Sequence, residues 1–552
     1  MSSVPVIRRR WVSRSLSAGI ALGLLWLLVG LVAVPVLVVV LRLFAEPAQS
    51  WQHLWDTVLG DYLSHTLWLV VGVAVGVTVV GVSTAWLVAM CDFWGRMVLE
   101  ALLILPLAAP AYLVAYIYTD FLDYYGLLQR GLRALFGWQS ASDYWFPSVR
   151  NMAGAIAVLV LVLYPYVYLL ARVAFLAQSS CILEASRVLG CSPWCSFWTV
   201  ALPLARPAIA GGVALALMEV LNDYGTVQYF GVPTFTVGVY RTWFALGDQP
   251  AAMQLAGLLT ILALGIIGLE QWSRQRLRFH ETRGRQWTRF ALSRSRGCIA
   301  FVVCALPVLL GFVLPFALLV HMSLSHNQSL WDEDFWSLAR NSFTLAGIAS
   351  VIGVAIALVM GYLQRYFPIT QMAVRFSAMG YGVPGAVIAV GIMVPLGWVD
   401  QQLHQWLGTG LVLSGSAIAL VYAYNVRFLA VALNAIESSL VKVKPHLDEA
   451  SSSLGQGLWG TLWRVHTPLV RGGLLAGMVF LFVDTLKELS ATIIMRPFNF
   501  DTLAVRVFQY ASDERLAEAS APALAILLLG LVPVALMSWQ ISRSYSSPRD
   551  KL

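Results

Sequence analysis

The chain has 552 residues, of which 59 % are apolar and only 12 % charged. A soluble domain carries about 25 % charged residues and about 45–50 % apolar ones. No water-facing packing hides that much apolar side chain, so soluble globules and disordered chains are excluded, and lipid is the solvent for much of the chain. The net charge of +8 comes from Lys and Arg in short clusters between apolar runs, which fits membrane-flanking loops rather than a nucleic-acid surface.

At the N-terminus, Arg8, Arg9, Arg10 and Arg14 precede an apolar run over 16–44. That run is much longer than the 7–15 apolar residues of a secretory leader, which predicts an uncleaved first span. About 20 apolar residues cross a bilayer as helix. Further spans are predicted at 65–90, 97–118, 152–177, 208–229, 252–272, 298–322, 342–366, 372–396, 411–433, 472–494 and 521–541. The runs are continuously apolar rather than alternating, so helices are expected and not a barrel. The expected fold is all-α and polytopic, with about twelve transmembrane helices.

Loop charge predicts orientation. The N-terminal segment, the 274–296 segment with eight Arg against Glu281, and the C-terminal Arg543, Arg549 and Lys551 share one side, expected to be the cytoplasm. The opposite loops carry Glu46, Asp56 and Asp61, then Asp332, Glu333 and Asp334. Arg130 and Arg133 run against the trend. All six cysteines fall on or near cytoplasmic segments, so reduced thiols are expected and no disulfide framework. Cys191 and Cys195 have no further Cys or His to complete a metal site.

The sequence repeats itself. A shift of 265 residues lays Glu184-Ala185-Ser186 on Glu449-Ala450-Ser451, Leu189-Gly190 on Leu454-Gly455, and Trp194 and Trp198 on Trp459 and Trp463. Pro203-Leu204 falls on Pro468-Leu469, and Arg206 on Arg471. Pro110 and Pro384 correspond at a slightly different shift. Two six-span halves are predicted, at 1–272 and 298–552, with cores of about 60–270 and 338–541 and a basic linker at 273–297. Each half starts and ends inside, so the repeat is parallel.

Between the fourth and fifth spans of each half the repeat reads as a short helix, a turn at Gly190 or Gly455, an amphipathic helix with Trp on one face, and a stop at Pro203 or Pro468. A helical platform outside the bilayer, made twice, suggests docking to a soluble partner. The alternative is a pair of helices lying on lipid. No GxxxxGK[ST] phosphate loop occurs, so ATP hydrolysis by this chain is not expected.

Glu-Ala-x-x-x-x-Gly followed by Pro resembles the EAA loop of bacterial ABC importer permeases, and the resemblance covers nearly the whole chain as two fused halves of the type I importer permease fold. The usual third residue is Ala; here it is Ser186 and Ser451. The resemblance implies that Glu184, Ala185, Gly190 and Pro203, with Glu449, Ala450, Gly455 and Pro468, form loops that couple to an ATP-binding cassette ATPase in two copies. It implies no cofactor on this chain, with ATP–Mg held by that ATPase.

The fifth span of each half holds a polar cluster: Glu219, Asn222 and Asp223 overlie Asp484, Lys487 and Glu488. Read as continuous helix, each carboxylate pair lies at i and i+4 on one face. Each ionised group at mid-bilayer costs about 2.5–3.5 kcal/mol or more. A lipid-facing placement is therefore excluded, leaving a translocation path or gate, or polar contacts between helices, with Lys487 as a candidate counter-ion. Leu-Asn-Asp-Tyr-Gly-Thr at 221–226, with 229–238 and Arg241-Thr-Trp-Phe, resembles the permeases of ferric-iron importers. So does Lys487-Glu-Leu-Ser-Ala-Thr with 496–506. That resemblance implies import of Fe(III) handed over by a periplasmic binding protein across a bacterial inner membrane. Tyr112, Tyr116, Tyr118, Asp120, Asp123, Tyr124 and Tyr125 read as an interfacial aromatic belt, with contact to iron as the alternative, and no metal ligands are assigned. The alternatives are an ABC permease for thiamine, a phosphonate or a polyamine, and a proton-driven secondary transporter, for which the paired loops have no use.

Overall fold

A computed structural model describes residues 16–178, 184–186, 188–275, 289–325, 333–408 and 412–545. Arg8, Arg9, Arg10, Arg14, Cys181, Arg187, the linker residues 276–288, Asp332, Arg549 and Lys551 lie outside the described residues. The described chain is almost entirely helix, with a single two-residue pairing of Cys91–Asp92 with Phe290–Ala291. Among the described residues ten helices are long and apolar enough to cross a membrane, and twelve if each of two sharply bent pairs counts as one span. Helix is what lipid requires, because each backbone N–H and C=O must find its partner within the segment.

Packing divides the chain into two units, each drawing segments from both halves of the sequence. One comprises Met1–Trp51, Val239–Thr260 and Glu333–Val505; the other comprises Gln52–Gly238, Ile261–Asp332 and Arg506–Leu552. In the first, the helices Glu333–Tyr366, Ala417–Leu440 and Arg471–Lys487 pack mutually, and Leu16–Arg42 lies against Gly385–Leu407. In the second, Leu59–Met90, Met152–Leu176 and Leu202–Asn222 form the same three-helix core. Small residues permit the close approach of such helices. A Cβ on Gly212 would lie 2.7 Å from the Cα of Val167; on Gly477 it would lie 3.3 Å from the Cα of Ala432. Both glycines and both partners are related by the 265-residue shift, so the internal repeat is also a repeat of packing.

Several predicted spans are broken. The runs 97–118 and 372–396 each cross a proline, and both prolines start new helices: Ala111–Leu122 after Pro110 and Gly385–Leu407 after Pro384. The residues ahead of them, Ala109 (ψ 126°) and Val383 (ψ 127°), are extended. A proline ring disfavours helical backbone in the residue before it. The chain bends by 94° between Arg96–Ala108 and Ala111–Phe136.

The runs 208–229 and 472–494 are also two helices each. Leu202–Asn222 stops before Gly225–Tyr229, and Arg471–Lys487 stops before Ser490–Met495. The aromatic-belt expectation fails for Tyr112, Tyr116 and Tyr118, which are 5 %, 1 % and 8 % exposed. Their helix packs inside the unit against Leu314–Ser325 and Gly225–Tyr229. Tyr116 meets Tyr229 edge-on at 4.6 Å, and the Tyr118 hydroxyl donates to the Leu310 carbonyl at 2.5 Å.

Candidate functional site

The two motif loops are built alike to the level of single hydrogen bonds. In the second half, Pro445–Ser453 is helical and Gly455 follows it with φ +76°. The Gln456 N–H reaches back to the Ser451 carbonyl at 3.1 Å, and the Leu454 N–H to the Ala450 carbonyl at 3.1 Å. In the first half, Glu184, Ala185 and Ser186 are helical, Gly190 has φ +89°, and the Cys191 N–H reaches the Ser186 carbonyl at 3.0 Å. A six-residue back-bond over a left-handed residue is a Schellman stop, and glycine adopts that backbone without a Cβ penalty.

Glu184, Ala185, Gly190, Glu449, Ala450 and Gly455 are all exposed. So are Val188, Leu189, Leu454, Trp194, Trp198 and Trp463, several of them by more than half. Exposed carboxylates beside exposed apolar and Trp side chains make a surface suited to a protein partner.

Ser186 and Ser451, the departures from alanine, have a structural use. Ser186 Oγ lies 2.7 Å from Ser196 Oγ, and Ser451 Oγ lies 2.8 Å from Thr461 Oγ1, all four side chains being buried. Ser196 and Thr461 are again 265 residues apart. Each bond fastens the short helix to the one that follows. The sequence offered only the unusual serine as a signal, since its partner lies ten residues on with nothing to mark it.

The two prolines act differently: a stop follows Pro468, but none follows Pro203. Pro203 lies inside one helix, Trp194–Asn222, which passes through a π turn at Phe197–Ala201. A matching π turn occupies Leu462–His466, and there the chain bends by 78° just after Leu469, beyond Pro468. Proline supplies no N–H and clashes with the carbonyl four residues back, so a locally widened coil lets the helix accept it. Such π turns recur at functional sites.

The loops are anchored differently in the two halves. Asp448, buried, takes hydrogen bonds from Tyr366 Oη at 3.2 Å and Arg365 Nη2 at 3.4 Å, and pairs with His466 Nε2. Arg365 also donates to the carbonyls of Leu440 and Val443. In the first half Trp86 packs on Phe175 at 5.3 Å and on Phe197 at 4.9 Å.

The membrane carboxylates also differ from expectation. Asp223 and Glu488 are not on the helix with Glu219 and Asp484. Each is the first residue past its end, with ψ 120° in both cases. There each carboxylate caps the next short helix. Asp223 accepts from the Thr226 N–H at 2.8 Å, the Val227 N–H at 3.2 Å and the Thr226 hydroxyl at 2.8 Å. Glu488 accepts from the Ala491 N–H at 2.9 Å, the Thr492 N–H at 3.1 Å and the Thr492 hydroxyl at 2.8 Å. Each break frees backbone N–H donors at buried residues, Thr226 and Val227 in one half and Ala491 and Thr492 in the other, and the carboxylate accepts from them. Glu219, Asn222, Asp484 and Lys487 remain on the preceding helices, half-buried.

The ion-pair partner of Glu488 is Arg427, 2.5 Å away. Arg427 is an arginine within a predicted apolar span, which is itself a functional signal. Its counterpart by the repeat is Val162, so Asp223 caps its helix without such an arginine. Arg172 likewise pairs with Glu100 across distant segments, with Arg96 at 2.9 Å from Glu100. Among the described residues no group of three or more His, Cys, Asp or Glu could hold a metal ion.

Comparison with known proteins places this duplicated, broken-helix architecture. Residues 77–270 match the family described as "binding-protein-dependent transport system inner membrane component". The matched residues lie in the first of the two repeats, and there the chain is similar to this family. It is similar to the Fe(3+)-transport system permease protein FbpB 2 of Haemophilus influenzae, 25 % identical over 94 % of this chain and 97 % of the relative. It is also similar to the ferric transport system permease protein FbpB of Actinobacillus pleuropneumoniae, 21 % identical over 94 % of this chain and 78 % of the relative. The molybdenum transport system permease protein ModB of Escherichia coli is 26 % identical over 34 % of this chain and 79 % of its own length. A stretch of about a third of this chain thus corresponds to most of a shorter relative.

Proposed function

We propose that this chain is a permease that carries ferric iron from the periplasm to the cytoplasm, receives it from a periplasmic binding protein, and is driven by two copies of a separate ATP-binding cassette ATPase. The duplicated loop carries the reading: two exposed Glu-Ala helices ending on left-handed glycines, 265 residues apart. Glu184 and Glu449 contact the ATPase, Gly190 and Gly455 form the turns that present them, and Ala185 and Ala450 keep that face small. Pro203 and Pro468, beyond the π turns, lead into the spans that respond.

In this reading the loops and both termini face the cytoplasm. Movement of the loops reaches the membrane through the fifth-span helices, whose far ends hold Glu219, Asn222 and Asp223 in one half and Asp484, Lys487 and Glu488 in the other. The breaks capped by Asp223 and Glu488 are the points at which those helices yield. Fe(III) as substrate rests on the full-length likeness to the two ferric permeases. A hard cation suits a path edged by carboxylate and phenol oxygens.

The test is uptake of radiolabelled Fe(III) by vesicles holding the permease and its ATPase, with binding protein and ATP supplied. Replacing Gly190 and Gly455 together by Val should leave the membrane fold intact and abolish uptake, because a β-branched side chain strains a left-handed turn. Accumulation driven by an ion gradient alone, without nucleotide, would refute the reading.

A further inference from the structure

The first motif loop carries chemistry that its twin lacks. Cys191 directly follows the left-handed Gly190, and Cys195 lies in the short helix Pro193–Ser196. Their sulfurs are 3.0 Å apart, both side chains are half-exposed, and both are free thiols. A disulfide requires about 2.05 Å between sulfurs, so closing the bond needs a movement of only about 1 Å. The geometry holds them there from both sides. The Ser192 hydroxyl accepts the Cys195 N–H at 3.2 Å, and the Thr199 hydroxyl donates to the Cys195 carbonyl at 2.7 Å.

Contact with Cys195, then burial, raises Cys191 above the ordinary thiol range, so it rests protonated. Among the described residues no third Cys, Asp, Glu or His joins the pair. At the matching positions of the second loop stand Gln456 and Gly460.

We propose that Cys191 and Cys195 are a reversible oxidation site, closed to a disulfide by peroxide and reopened by a dithiol reductant, and that closure switches off one coupling loop. In the first step one thiol gives up its proton and its sulfur attacks a peroxide oxygen; the O–O bond breaks, water leaves with that proton and a sulfenic acid remains. The second thiol then attacks that sulfur, the S–O bond breaks, and a second water leaves with the disulfide formed. Two thiols lose two electrons and two protons in all, and peroxide is reduced to two waters. A dithiol reductant reverses this by thiol–disulfide exchange.

The bond ties the residue after the Gly190 turn to the next helix, alongside the Ser186–Ser196 hydrogen bond that already joins the two helices. The turn can then no longer change its angle. That consequence rests on the coupling role proposed above, whereas the oxidation chemistry does not.

The experiment therefore has two readouts on the full permease–ATPase complex in vesicles, treated with hydrogen peroxide and then dithiothreitol. Peptide mass spectrometry without reduction should show the Cys191–Cys195 peptide two hydrogens lighter after peroxide and restored by dithiothreitol. Nucleotide-driven uptake should fall at least about fivefold on oxidation, the lower end of an ordinary coupling energy between sites, and recover on reduction. The C191S/C195S variant should transport as the parent does and ignore peroxide. If both thiols still react with maleimide after peroxide, or only irreversible sulfinic acid forms, the oxidation site is overturned. If the disulfide forms and uptake is unchanged while Gly190 and Gly455 variants still uncouple, the switch is overturned and the coupling role stands.

Discussion

The Arg427–Glu488 pair gives the sharpest test of how the broken span is held. Arg427 and Glu488 expose only 6 % and 1 % of their side chains and meet at 2.5 Å. Removing one partner of a buried pair leaves the other charge uncompensated, at about 3–5 kcal/mol, whereas replacing both with neutral groups of similar volume is close to neutral. Glu488 is also bound by three N–H and O–H donors at the start of Ser490–Met495, so R427M leaves a capped but unpaired carboxylate. E488Q keeps acceptor capacity for the cap but strands the guanidinium.

Each single variant is therefore expected to lose about 3–5 kcal/mol, and R427M/E488Q markedly less than the sum, with a coupling energy of about 2 kcal/mol or more. The assay is unfolding in mixed micelles titrated with SDS, followed by tryptophan fluorescence. Transitions of a chain this size need not be two-state, so the midpoints of the four proteins are compared as a cycle. Additivity within about 0.5 kcal/mol would refute the reasoning, because independent sites behave in that way.

Further outcomes follow from the same geometry. A Cβ at Gly385 would lie 2.6 Å from Arg427 Nη1, 2.9 Å from Glu488 Oε1 and 3.1 Å from the Ala491 nitrogen. G385A should cost about 1–3 kcal/mol by overpacking, and less in the R427M background; the same SDS titration reads both. S186A and S451A should each cost about 1–3 kcal/mol by leaving Ser196 or Thr461 buried without its partner, and S451A/T461V should recover part of that loss on the same titration. Burial works to raise the pKa of Asp248, but the Ala251 and Ser50 N–H groups and the charge of Arg42 hold it below the usual carboxylate range. A depressed folded-state value stabilises above the ordinary value of about 3.9 and loses that contribution as pH falls through the folded one. The parent should therefore lose thermal stability on acidification below about pH 4, and D248N should lose less over the same interval, measured by melting in detergent across pH.

Much of the site was legible without coordinates because its signals were local. The Glu-Ala helices and the glycines at 190 and 455 sit at fixed spacing, and their left-handed turns follow from the residue type. The carboxylate clusters at 219–223 and 484–488 were found by the same means, since an ionisable residue in an apolar run stands out. Their geometry was misread because hydropathy is continuous across Asp223 and Glu488 while the backbone is not. The fastening partners Ser196, Thr461 and Arg427 come from positions ten to about sixty residues away, and no periodicity announces them.

The sequence alone determined the solvent, the roughly twelve apolar runs and the internal duplication, because burial in lipid and repetition are written in composition and order. Tertiary structure decided where those runs break, which side chains satisfy the exposed N–H groups, and that the 16–42 helix packs on the 385–407 helix from the other half of the chain. Those outcomes depend on contacts between distant segments, where the cost of an unsatisfied polar group in a dry interior selects one arrangement among many that the same hydropathy allows.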